Sequence, residues 1–373
     1  MDAKDNIGRT PNGSPSPILP TRRYDVDWLR VIALLLLILY HGVISFQPWA
    51  AKAIYFIENG ESLAWLWIPM EMINPWRIPL LFFISGMGLR FAMERRSTLR
   101  LLADRSRRIL LPAVAGFFLF CPLNLLLFQN YHDLDPQWIP NPGHLWFLFN
   151  IFAYVLLLLP VVALCKKFPG NRFIRLCCIL AGKPYVLLCL LLVPYALEGQ
   201  LLQPKYFSLF LFTLHGFVIG MLCFSTGFLM ASTGNTFFNS ARSLRFTTLA
   251  LAFGLYAVRL FAFRLENTSN LLNGAECILW ILAALGFAAA HLNQDSPALK
   301  RLCPAVYPVY ILHLPVQLAL ASVLFPLNAP ALLKLILLAS GTFATSWALY
   351  EIIRRTPFLR PLFGMKSQSK SQS

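Results

Sequence analysis

Ten apolar stretches follow one another along this chain, at 27–47, 65–92, 109–130, 144–165, 176–197, 207–231, 246–265, 270–292, 303–325 and 329–353. Each is about as long as the ~20 residues that a helix needs to cross a bilayer. Within lipid a backbone must satisfy its own polar groups, which leaves helices or closed barrels. Stretches this long and continuous select helices. The chain has 373 residues, 57% hydrophobic and 13% charged, and a mean hydropathy of +0.61. A soluble protein of this size carries far more polar surface. The expected fold is an all-α, polytopic integral membrane bundle of about ten transmembrane helices.

The formal net charge is +16. Most of the Lys and Arg residues fall in the N-terminal tail, Arg90–Arg108, Lys166–Lys183, Arg242 with Arg245, Lys300 with Arg301, and the segment from Arg354 onward. These are alternate loops, so the charge reports positive-inside topology, with both termini cytoplasmic. It does not form the single patch that a nucleic acid would need, so no nucleic-acid partner is expected. The other loops are nearly free of positive charge, Tyr131-His-Asp-Leu-Asp-Pro136 being typical. Polar residues 1–23 are expected to be a disordered cytoplasmic tail with no cleavable signal, 24–364 the transmembrane domain, and 365–373 a second tail. No internal repeat or clearly broken helix pair is evident, and the longest non-cytoplasmic loop runs from Gln47 to Ala64. Chemistry is therefore expected within the bundle or at its mouths. Cys121, Cys165, Cys177, Cys178, Cys189, Cys223, Cys277 and Cys303 lack metal-site spacing and read as small hydrophobes, so neither a disulfide nor a metal is expected.

Ionisable residues inside a membrane span cost about 2.5–3.5 kcal/mol each on insertion scales and usually face a polar interior. Arg30 and His41 lie eleven residues apart on the first span, hence on nearly one helical face and roughly 16 Å apart along the axis. A neutral imidazole in that position can serve as a general base. Its structural alternative is a bond to a backbone carbonyl of another helix. Arg30 on the same stripe adds an anion-binding point at the cytoplasmic mouth and favours the base. Arg105 and Arg108 are neighbours at i, i+3 and can form a phosphate clamp there, though a topology-setting loop explains them as well. Arg77 breaks the charge rule, lying near the non-cytoplasmic end of the second span. It needs either Glu71 or an anionic ligand as partner, with structural pairing favoured. His144 and Trp146 open the fourth span on that side. Trp146 has an ordinary interfacial explanation, and an aromatic ring there can also stack on a sugar. His215 reads as an interhelical hydrogen bond, while His132 and His291 read as solvated.

Together these patterns resemble the acyltransferase family 3 membrane proteins. The matching residues are Asp27-Trp-Leu-Arg30 with His41 eleven positions beyond Arg30, Phe82-Phe-Ile-Ser-Gly86, Arg105-x-x-Arg108 with Pro112, His144-Leu-Trp146-Phe-Leu and Tyr310-Ile-Leu-His313-Leu-Pro315. Arg77 and the last helix, with Glu351 in Leu349-Tyr-Glu351-Ile-Ile-Arg-Arg-Thr-Pro357, look most like the branch that succinylates osmoregulated periplasmic glucans. The resemblance spans Tyr24 to Gly364. It implies an O-acyltransferase of the bacterial inner membrane, with cytoplasmic acyl-CoA as co-substrate, a glycan hydroxyl as acceptor and no bound cofactor. His41 would be the catalytic base, or would itself carry the acyl group. Arg30, Arg105 and Arg108 would hold the donor, and Arg77, His144, Trp146, His313 and Glu351 would lie on the acceptor or acyl-group side. If the donor is succinyl, Arg77 is placed to pair its distal carboxylate. The competing class is a transporter or flippase for a glycan or lipid-linked substrate, in which Arg30 and His41 gate a polar path. The acyl group, the acceptor and the oligomeric state are not legible in the sequence.

Overall fold

The computed structural model describes residues 22–366 except 55, 95 and 169. The expected tails, 1–23 and 365–373, fall almost wholly outside that range. Within it the chain forms helices α1 (Tyr24–Ile44), α2 (Ala50–Ile54), α3 (Trp67–Ile73), α4 (Arg77–Met93), α5 (Thr98–Arg105), α6 (Leu111–Ala115), α7 (Cys121–Tyr131) and α8 (Trp146–Lys167). There follow α9 (Arg172–Ala181), α10 (Pro184–Leu202), α11 (Leu214–Ser232), α12 (Asn235–Phe261), α13 (Asn270–His291), α14 (Pro297–Leu302), α15 (Val306–Leu324) and α16 (Ala331–Arg355). Among the described residues, nine helical stretches are long and apolar enough to cross a membrane. The protein is an all-α polytopic membrane protein.

The tenth expected span, 65–92, is not continuous. It breaks between α3 and α4 at Asn74-Pro75-Trp76, where Trp76 adopts φ −119° and ψ −17°. Pro75 and Pro79 supply no N–H to the ladder, and Pro79 falls in the first turn of α4, where none is needed. This is one interrupted span, so the continuous helix expected over 65–92 is corrected at this point. Two further boundaries also move. The third span begins at Thr98 and runs unbroken to Tyr131, through π-helical turns at Ser106–Leu110 and Gly116–Phe120. Pro112 and Pro122, four residues after Arg108 and Phe118, cannot donate to those carbonyls, and the wider turns absorb the loss. The fifth span starts at Pro184. The preceding stretch is the separate helix α9, capped by Asn171 Oδ1 accepting from Ile174 N at 2.9 Å. It presents Phe173, Leu176 and Ile179 outward along one face.

The alternate loops gather at two opposite ends, as the charge pattern requires. At the basic end Arg23 Nη1 donates to Asn235 Oδ1 (3.3 Å) and Tyr24 N to Asn293 Oδ1 (3.1 Å). Arg90 Nε donates to Ser232 Oγ (3.0 Å), and Lys166 Nζ bonds the Arg96 carbonyl. At the other end Lys334 Nζ meets Asn59 Oδ1 (3.3 Å), Ala331 N meets Glu61 Oε2 (3.0 Å) and Tyr256 donates to the Ile68 carbonyl (2.8 Å). Small residues draw the helices together where apolar burial gives no driving force. A Cβ on Gly86 would lie 1.9 Å from the Phe224 carbonyl oxygen, and one on Gly227 would lie 1.9 Å from that of Phe83. This double glycine contact locks α4 to α11 and fixes one wall of the site.

Candidate functional site

The stripe on α1 becomes the spine of a cavity. Arg30, Leu34 and Leu37, at i, i+4 and i+7, line a cavity of about 520 Å³ at the basic end, with Ser85, Gly88, Arg105, Arg108, Tyr307 and Tyr310. The next position on that face is His41. Arg30 enters because residue 88 is glycine: a Cβ there would lie 2.9 Å from Arg30 Nη2. Gly364 closes the wall with φ +66°, where a Cβ would meet the Tyr307 ring at 2.5 Å and the Arg108 carbonyl at 2.8 Å. The chain after α16 thus folds back over the cavity.

Positive charge exceeds negative charge at this mouth. Asp27 is shared by Arg22 (2.9 Å) and Arg30 (2.8 Å), and Asp104 by Arg96 (3.0 Å) and Arg108 (2.9 Å). Arg105 makes no ion pair among the described residues. Its Nη2 reaches only the Gly88 carbonyl at 3.4 Å, and its buried Nε has no partner there. Arg105 ends α5 and Arg108 lies in the π turn that follows, so the wide turn positions the pair. An anion entering here meets one unpaired guanidinium group, Arg105, and others that share their carboxylates.

Beyond the cavity three histidines converge. His41 Nδ1 lies 3.1 Å from His313 Nε2, and the two rings stack with centroids 5.2 Å apart. His144 meets His313 edge-on at 5.1 Å. His313 is fully buried, whereas His41 is only half-buried. Backbone carbonyls set the tautomers, since a carbonyl only accepts. His313 Nδ1 lies 2.6 Å from the Tyr310 carbonyl and must carry its proton there, leaving Nε2 as an acceptor. His41 Nδ1–H then donates to that Nε2, and His41 Nε2 is left with a free lone pair. His144 Nε2–H donates to the Ile311 carbonyl (3.1 Å), and its Nδ1 accepts from Asn124 Nδ2 at 3.4 Å. The arrangement is an imidazole held in one tautomer by a second residue, which is itself held by the backbone, and such an imidazole can act as a base. Tyr310 joins the two halves: its ring lines the cavity, its hydroxyl donates to the His144 carbonyl at 2.6 Å and its carbonyl fixes His313.

Arg77 sits against the ring of Tyr40, the residue before His41 on α1. It is 4% exposed, with its guanidinium carbon 3.4 Å over the Tyr40 ring. The pairing with Glu71 favoured from sequence does not occur. Glu71 instead bonds Arg259 (3.1 Å), which also holds Glu276 (3.0 Å). Arg77 Nε and Nη1 have no hydrogen-bond partner among the described residues.

The structure therefore brings His41, His313, His144 and Arg77 to one region and Arg30, Arg105 and Arg108 to the cavity beside it. It does not bring Trp146 or Glu351. Trp146 lines a separate, largely apolar crevice of about 350 Å³ with Phe117, Phe118 and Phe149. The turn at Gly143–Leu145 rotates it away from His144. Glu351 lies in the last turns of α16 and pairs with Arg354 at 2.6 Å, at the basic end. His215 is structural as expected, bonding Glu198 Oε1 and the Phe207 carbonyl, each at 2.8 Å. His132 and His291 are exposed. Asn124 and Tyr40 were not singled out from sequence, and Tyr310 entered only as part of a motif, with no role assigned. The signal for Tyr310 was available, three residues before His313 on one helical face. Arg259 and Glu276 also had a signal, being ionisable groups inside apolar runs.

A helical membrane bundle with an anion-attracting mouth, a cavity and a nearby imidazole cluster is an arrangement suited to group transfer within the membrane. An acyltransferase family 3 model, described as an acyltransferase domain, matches residues 23–351, and the chain belongs to that family. It is similar to glucans biosynthesis protein C of Salmonella heidelberg (strain SL476), with 21% identity over 388 residues, covering 96% of this chain and 98% of that protein. The protein is a membrane acyltransferase.

Proposed function

We propose that this acyltransferase moves a succinyl or acetyl group from cytoplasmic acyl-CoA to a hydroxyl of a periplasmic or envelope glycan, such as an osmoregulated periplasmic glucan, in the bacterial inner membrane. One observation carries the reading: an under-neutralised arginine mouth, Arg30 with Arg105 and Arg108, opens a cavity that follows α1 toward His41. The CoA phosphates are polyanionic and suit the mouth. The thin pantetheine arm suits the cavity, and Arg30 and His41 are about 16 Å apart along α1. The acceptor hydroxyl would reach His41, which is half-buried, from the opposite end. The glycan assignment draws on the likeness to the glucan biosynthesis protein.

In the reaction His41 Nε2 takes the acceptor proton as the oxygen attacks the thioester carbonyl, and returns it to the departing CoA thiolate. His313 keeps Nε2 of His41 aimed at the acceptor. Acyl transfer is tested with the full chain in proteoliposomes, presenting labelled succinyl-CoA or acetyl-CoA on one side and a glucan oligosaccharide on the other. Label in the oligosaccharide and free CoA thiol in equal amounts are the expected result. Absence of label with both donors overturns the reading. Arg105→Gln is expected to raise KM for acyl-CoA about 10-fold, the equivalent of one charge-assisted contact, with kcat changed less than about 3-fold. An unchanged KM would remove Arg105 from the donor site.

A further inference from the structure

The region around His41 has an electrostatic feature that base catalysis alone leaves unexplained. Among the described residues, no carboxylate bonds any of the three histidines. The buried formal charge beside them is Arg77, and it is positive. Arg77 and the His41 imidazole both neighbour the Tyr40 ring, with the guanidinium carbon 3.4 Å from its centroid and the imidazole centroid at 6.0 Å. A base that becomes an imidazolium beside a fixed guanidinium places two positive charges together in a low-dielectric interior. That is unfavourable unless a negative charge forms with them. The fold could have neutralised Arg77, because Glu71 lies only six residues away. It instead assigns both Glu71 and Glu276 to Arg259. Arg77 keeps Nε and Nη1 buried, without partners among the described residues.

We propose that Arg77 is a catalytic residue that stabilises the oxyanion of the tetrahedral intermediate in acyl transfer. The proposal rests on the acyl-transfer reading above. As the acceptor oxygen bonds the thioester carbon, the C=O π pair moves onto the carbonyl oxygen and the acceptor's proton goes to His41 Nε2. The resulting anion offsets the positive charge of both the guanidinium and the imidazolium. Collapse restores C=O, breaks the C–S bond and returns the proton to the CoA sulfur. Tyr40 holds the guanidinium plane through its ring face, and its hydroxyl is fixed by a 2.8 Å bond to Asn74 Oδ1. The helix break at Asn74–Trp76 is what places Arg77 at this depth, as the first residue of α4.

The test compares wild type, Arg77→Gln and Arg77→Lys, as full-length protein in proteoliposomes, with acetyl-CoA, butyryl-CoA and succinyl-CoA as donors. Loss of oxyanion stabilisation predicts a kcat about 100-fold or more lower for Arg77→Gln with every donor, and KM within about 3-fold of wild type. Arg77→Lys keeps the charge without the fork and is expected to retain an intermediate kcat. It also supplies the answer if Arg77→Gln fails to fold. A loss confined to succinyl-CoA and appearing in KM overturns the proposal in favour of pairing with the distal carboxylate. Wild-type rates in both variants overturn it outright. If wild type itself transfers no acyl group, the acyl-transfer reading fails first.

Discussion

Replacing His41 with Ala is expected to lower acyl transfer by about 10²–10⁴-fold, the range that a positioned general base contributes. The folded protein should be recovered in normal amount. The reason is geometric. Of the three clustered imidazoles, only His41 keeps a nitrogen without a partner among the described residues, because His313 and His144 commit both of theirs. It is also half-buried where His313 is fully enclosed. His313→Gln should cost less, about 10-fold, since the tautomer lock weakens but the base remains. The double variant should be no slower than His41→Ala, because residues that act as a unit are non-additive. Rates of label transfer in proteoliposomes, beside thermal unfolding midpoints in detergent, measure all three. Should His41→Ala retain more than about a tenth of wild-type activity, the base is another group. A mass increase of one acyl group on wild type incubated without acceptor, absent in His41→Ala, would instead indicate that His41 carries the acyl group itself.

Much of this arrangement could be read from the sequence, and the residues show why. Arg30 and His41 share one uninterrupted helix, so eleven residues at about 100° each fix their relation before any tertiary contact forms. Alternating loop charge likewise fixed the two ends of the bundle, as the bonds of Arg23 to Asn235 and of Lys334 to Asn59 show. What needed the fold was any relation between helices. Periodicity placed His313 on α15, but not its Nε2 against His41, because side-chain register between helices depends on packing at residues such as Gly86 and Gly227. Arg77 is the clearest case. Sequence proximity favoured Glu71, but the break after α3 turns that carboxylate toward Arg259 and leaves the guanidinium over Tyr40. Trp146 failed for a related reason: the two residues from His144 to Trp146 cross a 3₁₀ turn, and the side chains diverge.

Gly86→Ala is expected to destabilise the protein by about 3 kcal/mol or more, at or beyond the upper end of ordinary overpacking. The added Cβ would sit 1.9 Å from the Phe224 carbonyl oxygen and 3.0 Å from Phe228 N. These are backbone atoms in the middle of α11, which cannot rotate away as a side-chain tip can. The helices must separate, and the reciprocal close approach of Gly227 to Phe83 goes with them. Gly254→Ala supplies the opposite sign. No atom lies within 4 Å of the point where its Cβ would sit, so the substitution should be neutral or stabilising by up to about 1 kcal/mol through helix propensity. Thermal unfolding midpoints in one detergent compare the two, and similar shifts for both would refute the glycine lock. The consequence reaches function because Ser85, Gly88 and Phe224 line the cavity from these same two helices. A partly folded Gly86→Ala protein should therefore bind acyl-CoA more weakly even though no donor-contacting side chain has changed. Activity that survived at wild-type KM despite a large fall in midpoint would show that the α4–α11 contact stabilises the bundle without shaping the donor cavity.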